Sequence, residues 1–256
     1  MYSVTGRISQ IKQLSRYIKI SDFTKILFHD DYILKEGSSF NPSTTGLAVD
    51  YMTRFLSDHN AADAFKISLY GAYLANKLDT AQKLLSGIKA LDYASIINAC
   101  KLAGFDVYYR SPSHIMINNK SRYAPEPDEY SLHNIKIFIE RSLALFAKYG
   151  PVVKYGFDFE PSGYTHIISS GDGDFLTHDT LWDFKVSKSA PSGKDAMQVL
   201  IYWIMGIHSG QKVFDSINNL AIWNPRLNAA YILETSRIAD SVISEIESDI
   251  ICYNRS

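Results

Sequence analysis

Gly171-Asp172-Gly173-Asp174-Phe175-Leu176-Thr177-His178-Asp179-Thr180-Leu181-Trp182-Asp183-Phe184-Lys185-Val186 is an aromatic and aliphatic stretch broken by one polar turn, His178-Asp179-Thr180. Such composition reads as extended chain folding back on itself. Upstream, residues 152–159 and 164–169 have the same character, with a turn at Pro161-Ser162-Gly163. Together with 175–186 they predict three strands in an antiparallel meander. Downstream, residues 193–208 predict a strong helix. A strand at 220–224, a second apolar piece at 229–233 and a closing helix over 236–252 follow.

The first half reads differently. Residues 1–40 carry loose helical periodicity (Ile8, Ile11, Leu14, Tyr17, Ile18), and Asn41-Pro42-Ser43-Thr44-Thr45 is a loop rich in N-cap candidates. A helix should follow, with Leu47, Val49, Tyr51, Met52, Phe55 and Leu56 on a broad apolar face. Residues 61–103 are helical in pattern, in pieces 64–76 and 80–102, with a break near Leu91-Asp92 and Gly104 as a C-cap. Val107-Tyr108-Tyr109 suggests a short extended piece. Residues 118–130 form a polar, proline-bearing connector, and 132–149 predict a helix with Ile135, Ile139, Leu143 and Phe146 on one face. The order is a helical first half, then β-β-β-α-β and a final helix, without internal repeats.

With 256 residues, 46% of them hydrophobic, the chain can bury a full core. A net charge of −1 is no basic excess, so any nucleic-acid partner would be held by a local groove. Cys100 and Cys252 are far apart and lack CxxC spacing, which argues against a disulfide scaffold or zinc site. The longest apolar run, residues 199–207, is far short of the roughly 20 residues a membrane span needs. The N-terminus shows no signal-peptide pattern. The expectation is a soluble, cytoplasmic protein without membrane contact.

On a strand, residues two apart share a face, so Asp183 and Lys185 project together while Trp182, Phe184 and Val186 point into the core. Alone, D-x-K is the pattern of a surface salt bridge. Asp174, across the hairpin, adds a second carboxylate beside one lysine, an arrangement that suits a hard cation. Asp172 competes with it, but Asp174 runs directly into Phe175-Leu176. A calcium-loop reading fails, because Leu176 and Thr177 stand where a further ligand and a glycine are needed. On the following helix Gln198 and Tyr202 are four apart and share a face turned toward Lys185. The histidines show no ligand spacing. Lys188 and Lys194 flank the segment and are candidate phosphate contacts.

Together Asp174, Asp183-Phe184-Lys185 and Gln198 to Tyr202 resemble, in order and placement, the PD-(D/E)xK nuclease superfamily in its RecB-like branch. The resemblance implies a restriction-endonuclease-like core, α-β-β-β-α-β with a mixed sheet flanked by helices. Residues 150–235 would be the catalytic core of a single domain, and 61–130 a helical insertion. It implies Mg²⁺ or Mn²⁺ held by Asp174, Asp183 and the carbonyl of Phe184, with Lys185, Gln198 and Tyr202 completing the catalytic set. The family's helix-borne ligand maps best onto Asp50, four residues after Gly46, although Leu47 and Asp50 depart from its usual Thr and His. Glu140 is the alternative. The implied activity is phosphodiester hydrolysis in DNA, or in RNA, with a homodimer or a partner protein as a further source of affinity. An inactive nucleic-acid-binding module on the same fold and a partner-binding scaffold are the competing readings.

Overall fold

The computed structural model describes residues 1–110 and 126–253, so residues 118–125 of the expected connector lie outside the described residues. The chain forms two compact units, one of Met1–His29 with Phe146–Ser256, the other of Asp30–Leu145. The second unit takes in the Asp50 helix and Glu140 as well as residues 61–130. No helix among the described residues is long and apolar enough to cross a membrane.

The strands are β1 (Tyr2–Ser3), β2 (Thr24–Leu27), β3 (Val152–Phe157), β4 (Ile168–Ser170), β5 (Gly173–Thr177), β6 (Thr180–Phe184), β7 (Asn219–Asn224) and β8 (Ala229–Glu234). The helices of the second unit are α2 (Pro42–Asp58), α3 (Ala61–Ala64), α4 (Lys66–Leu74), α5 (Leu78–Ser86), α6 (Tyr93–Ala103), α7 (Asp106–Arg110) and most of α8 (Glu129–Tyr149). The first unit holds α1 (Val4–Ile8), α9 (Gly193–His208) and α10 (Asp240–Glu245).

The first unit is α/β, a mixed six-stranded sheet flanked by helices. Its strand order is β2-β8-β7-β6-β5-β3. Only β6 and β7 pair in parallel; the other neighbours are antiparallel. A parallel pair needs a long crossover, and α9 supplies it between β6 and β7. That helix is apolar almost all round, with residues 196, 197 and 199–206 buried, which is the signature of a helix enclosed on every side. Leu176, Leu181, Leu220, Ile222 and Leu233 share one core with it. Each such fully buried side chain contributes roughly 1.5–3 kcal/mol. The opposite sheet face is aromatic. Phe175 and Trp182 stack at 5.8 Å, Tyr149 from the last turn of α8 lies 5.2 Å from Trp182, and Phe28 meets Trp223 edge-on at 5.1 Å.

Several expectations need correction. The stretch 164–169 does not join the main sheet. The Thr165 hydroxyl accepts from the Ile167 and Ile168 amides and folds it into a turn, leaving β4 to pair in parallel with β1. The meander is therefore β3-β5-β6, made by the hairpin within residues 173–184. Residues 107–109 are helical, within α7, where Asp106 sits in the first turn and accepts from Tyr51 and Ser68 at 2.6 and 2.5 Å. Residues 24–27, within the stretch read as loosely helical, form edge strand β2. The closing helix starts at Asp240 and widens to π spacing over Ile246–Ile251.

In the second unit α8 is capped by Asp128. Its carboxylate accepts from the Ser131 amide and hydroxyl at 2.9 and 2.7 Å and from the Ser39 hydroxyl at 3.0 Å. The Ser131 side-chain bond, followed by these other donors, holds the Asp128 carboxyl below the ordinary carboxylate range. A depressed folded pKa means stability present above the unfolded value of about 4 and lost as pH falls toward the depressed one. Asp128→Ala is expected to cost about 1 kcal/mol at neutral pH, a melting shift of roughly 2–4 °C. Thermal unfolding followed at a series of pH values should show the gap to wild type closing as acid is added. A gap independent of pH would contradict the capping role.

Candidate active site

The hairpin register pairs Phe175 with Trp182 and Leu176 with Leu181, which puts Asp174 across from Asp183. By alternation both carboxylates share the face of Leu176 and Leu181, the one covered by α9. Asp183 is only 2% exposed, so a solvated salt bridge is not what this segment forms. Both sheet faces are buried here, and the carboxylate is enclosed.

Lys185 follows β6 directly, its amide donating to the Trp223 carbonyl at 2.8 Å. Its Nζ lies 2.6 Å from Asp183 Oδ2 and donates to Gln198 Oε1 at 3.2 Å. Gln198 in turn donates from Nε2 to the Tyr202 hydroxyl at 2.8 Å, joining the i and i+4 positions of α9. Asp174 accepts from the Phe184 amide at 2.6 Å, which ties one carboxylate to the backbone between the other two groups. A single run of contacts thus connects Asp183, Lys185, Gln198 and Tyr202, with Asp174 beside it.

The electrostatics follow from burial. Burial pushes the Asp183 carboxyl above its usual range; Lys185 opposes this, while Asp174 and Asp195 add to it. For Lys185 burial disfavours the charge, but the carboxylates of Asp183 and Asp174 outweigh it and hold the ammonium protonated. Burial, with the charge of Asp183, raises the Tyr202 phenol well above its ordinary value. Asp183 Oδ2 is a buried oxygen whose close partner is the Lys185 ammonium at 2.6 Å. A buried carboxylate is costly unless a cation pairs with it, and Lys185 does so here.

Two carboxylates facing each other across the hairpin have the donor chemistry of a hard divalent cation. Among the described residues no three His, Cys, Asp or Glu side chains form a metal-holding group. Asp50 lies in the second unit, buried, with both carboxylate oxygens accepting from Arg54 at 2.8 and 2.7 Å. Glu140 also lies in that unit, where its charge raises the Tyr32 phenol above its ordinary value. Lys188, within the loop that joins β6 to α9, and Lys194, in the first turn of α9, are exposed. Asp172 is exposed and Asp174 half-buried.

Sequence reading passed over Asp195. It stands in the first turn of α9, with Oδ1 3.9 Å from Lys185 Nζ. The signal was Ser192-Gly193-Lys194-Asp195, a capping-box spacing that reads as helix punctuation. Compared with known proteins, the chain matches no family model, no curated protein and no solved structure.

Proposed function

We propose that this chain is a metal-dependent nuclease of PD-(D/E)xK type, acting on DNA, with RNA as the alternative polymer. The observation that carries the reading is the contact run Asp183–Lys185–Gln198–Tyr202 beside Asp174 on one enclosed sheet face. The order β3, β5, β6, α9, β7 agrees with the restriction-endonuclease-like core that the sequence resemblance implies.

Asp174 and Asp183, with the Phe184 carbonyl, are the groups that would hold Mg²⁺ or Mn²⁺. When bound, such an ion supplies Lewis-acid charge and a more acidic water. Lys185 acts as a fixed cation. Its ammonium is shared among acceptors from β6 and α9, which leaves it aimed and charged to stabilise negative charge building on the phosphate. Gln198 holds that ammonium in place, and Tyr202 holds Gln198. Lys188 and Lys194 offer contacts to flanking phosphates.

The test is incubation of the purified chain with end-labelled single- and double-stranded DNA, and RNA in parallel, with Mg²⁺, Mn²⁺ or EDTA. Shortening of the label that EDTA abolishes is expected. Binding without cutting under every condition would leave a binding module in place of an enzyme.

A further inference from the structure

Loop 185–192 opens at Lys185 and closes at Ser192, immediately before α9. One side chain reaches both ends. Asp195 Oδ2 accepts from the Ser192 amide at 2.7 Å and its hydroxyl at 2.8 Å, while Oδ1 faces Lys185 Nζ at 3.9 Å. The middle of the loop is held separately. Buried Asn224, at the end of β7, donates from Nδ2 to the Ser187 carbonyl at 2.9 Å and, more weakly, to the Ser189 carbonyl at 3.4 Å. An eight-residue connection is thus tied at both ends and at its centre.

We propose that Asp195 is a positioning residue of the active site: its carboxylate clasps the two ends of this loop and fixes where the Lys185 ammonium points. The inference rests on the nuclease reading for what Lys185 does. A lysine side chain carries about 2 kcal/mol of rotamer entropy, which must be suppressed if the cation is to be aimed. Asp183 alone draws the ammonium toward the strand. Gln198 offers a neutral acceptor from the helix, and Asp195 adds a charged one from the same helix, one turn earlier. Capping by itself requires only an acceptor at this position, and an amide would serve. The negative charge is the part that capping does not need.

Asp195→Asn separates the two roles, since it keeps an acceptor for Ser192 and removes the charge. With end-labelled DNA and Mn²⁺, kcat is expected to fall about tenfold, with KM within about twofold and the melting temperature within about 2 °C. Asp195→Glu, which restores a carboxylate at the same capping position, should recover most of kcat. Ser192→Ala, which keeps the charge and cuts one tether, should lose less than Asp195→Asn. A kcat unchanged in Asp195→Asn, or Asn and Glu variants equally impaired, would overturn the proposal. Reductive methylation of Lys185, read by peptide mass spectrometry at fixed pH, distinguishes its failure from that of the nuclease reading. Should wild type not cut nucleic acid, faster Lys185 labelling in Asp195→Asn still supports the clasp, and an unchanged rate refutes it.

Discussion

Asp183→Asn and Lys185→Ala are each expected to lower metal-dependent cleavage by about 10²–10³-fold, with circular dichroism unchanged. The two substitutions reach that result differently. Asparagine keeps the shape of a side chain that is almost wholly enclosed, and it removes the charge that pairs with Lys185 and faces Asp174. Alanine at 185 removes the cation and leaves a buried carboxylate behind. Breaking a buried ion pair costs about 3–5 kcal/mol when the orphaned charge stays ionised. The Asp183 carboxyl, already pushed upward by burial, takes up a proton, so the loss in Lys185→Ala should fall below that range. Cleavage of labelled oligonucleotides with Mn²⁺, alongside thermal unfolding, measures both quantities. Full activity in either folded variant would remove the assignment.

The largest stability effect is expected at Gly173, the first residue of β5. It pairs with Phe157 of β3, and a β-carbon there would fall 1.9 Å from the ring's Cζ and 2.1 Å from Cε2. The ring has nowhere to go. It is fully buried and meets Phe159, Tyr202 and Phe214 edge-on at 5.9, 6.1 and 5.6 Å. Overpacking of this kind costs about 3 kcal/mol, so Gly173→Ala should melt roughly 6–12 °C lower. Because Phe157 also packs on Tyr202, activity should fall with it. Phe157→Leu in the same chain should recover part of the loss, a coupling that a double-mutant cycle reads directly. Gly46, inside α2 with nothing within 4 Å of its would-be β-carbon, is the contrast. There alanine should stabilise by about 0.5–1 kcal/mol. Equal melting temperatures for the two glycine variants would contradict the packing described for β5.

Where alternation and helical spacing act over short range, the sequence was readable. Asp174, Asp183 and Lys185 were placed by a hairpin register, and Gln198 with Tyr202 by a four-residue interval. Both are local rules, and in the structure Asp183, Lys185, Gln198 and Tyr202 are in contact, with Asp174 hydrogen-bonded to the Phe184 amide beside them. Strand β2 was not readable, because Thr24-Lys25-Ile26-Leu27 is short, mostly exposed and extended only through pairing with β8, some two hundred residues later. The stretch 164–169 misled for a related reason: its β-branched residues signalled a strand, but a threonine hydroxyl bonding two amides turned the chain aside. Asp195 was hidden behind its own helix-capping spacing. Its second contact, to Lys185, exists only once the loop has closed.

The pairing of β2 with β8 has a consequence for synthesis of the chain. Strand β2 leaves the ribosome some two hundred residues before its hydrogen-bonding partner, which is encoded after residue 228. The whole of Asp30–Leu145 is translated in between, and as a continuous segment it can fold while the sheet is still incomplete. The sheet must therefore assemble around a segment that has waited, unpaired, while some two hundred residues are translated. Its last edge closes only when residues 229–234 emerge, so a chain truncated before them would carry every residue of the Asp183–Lys185 cluster on a sheet that lacks its outer two strands.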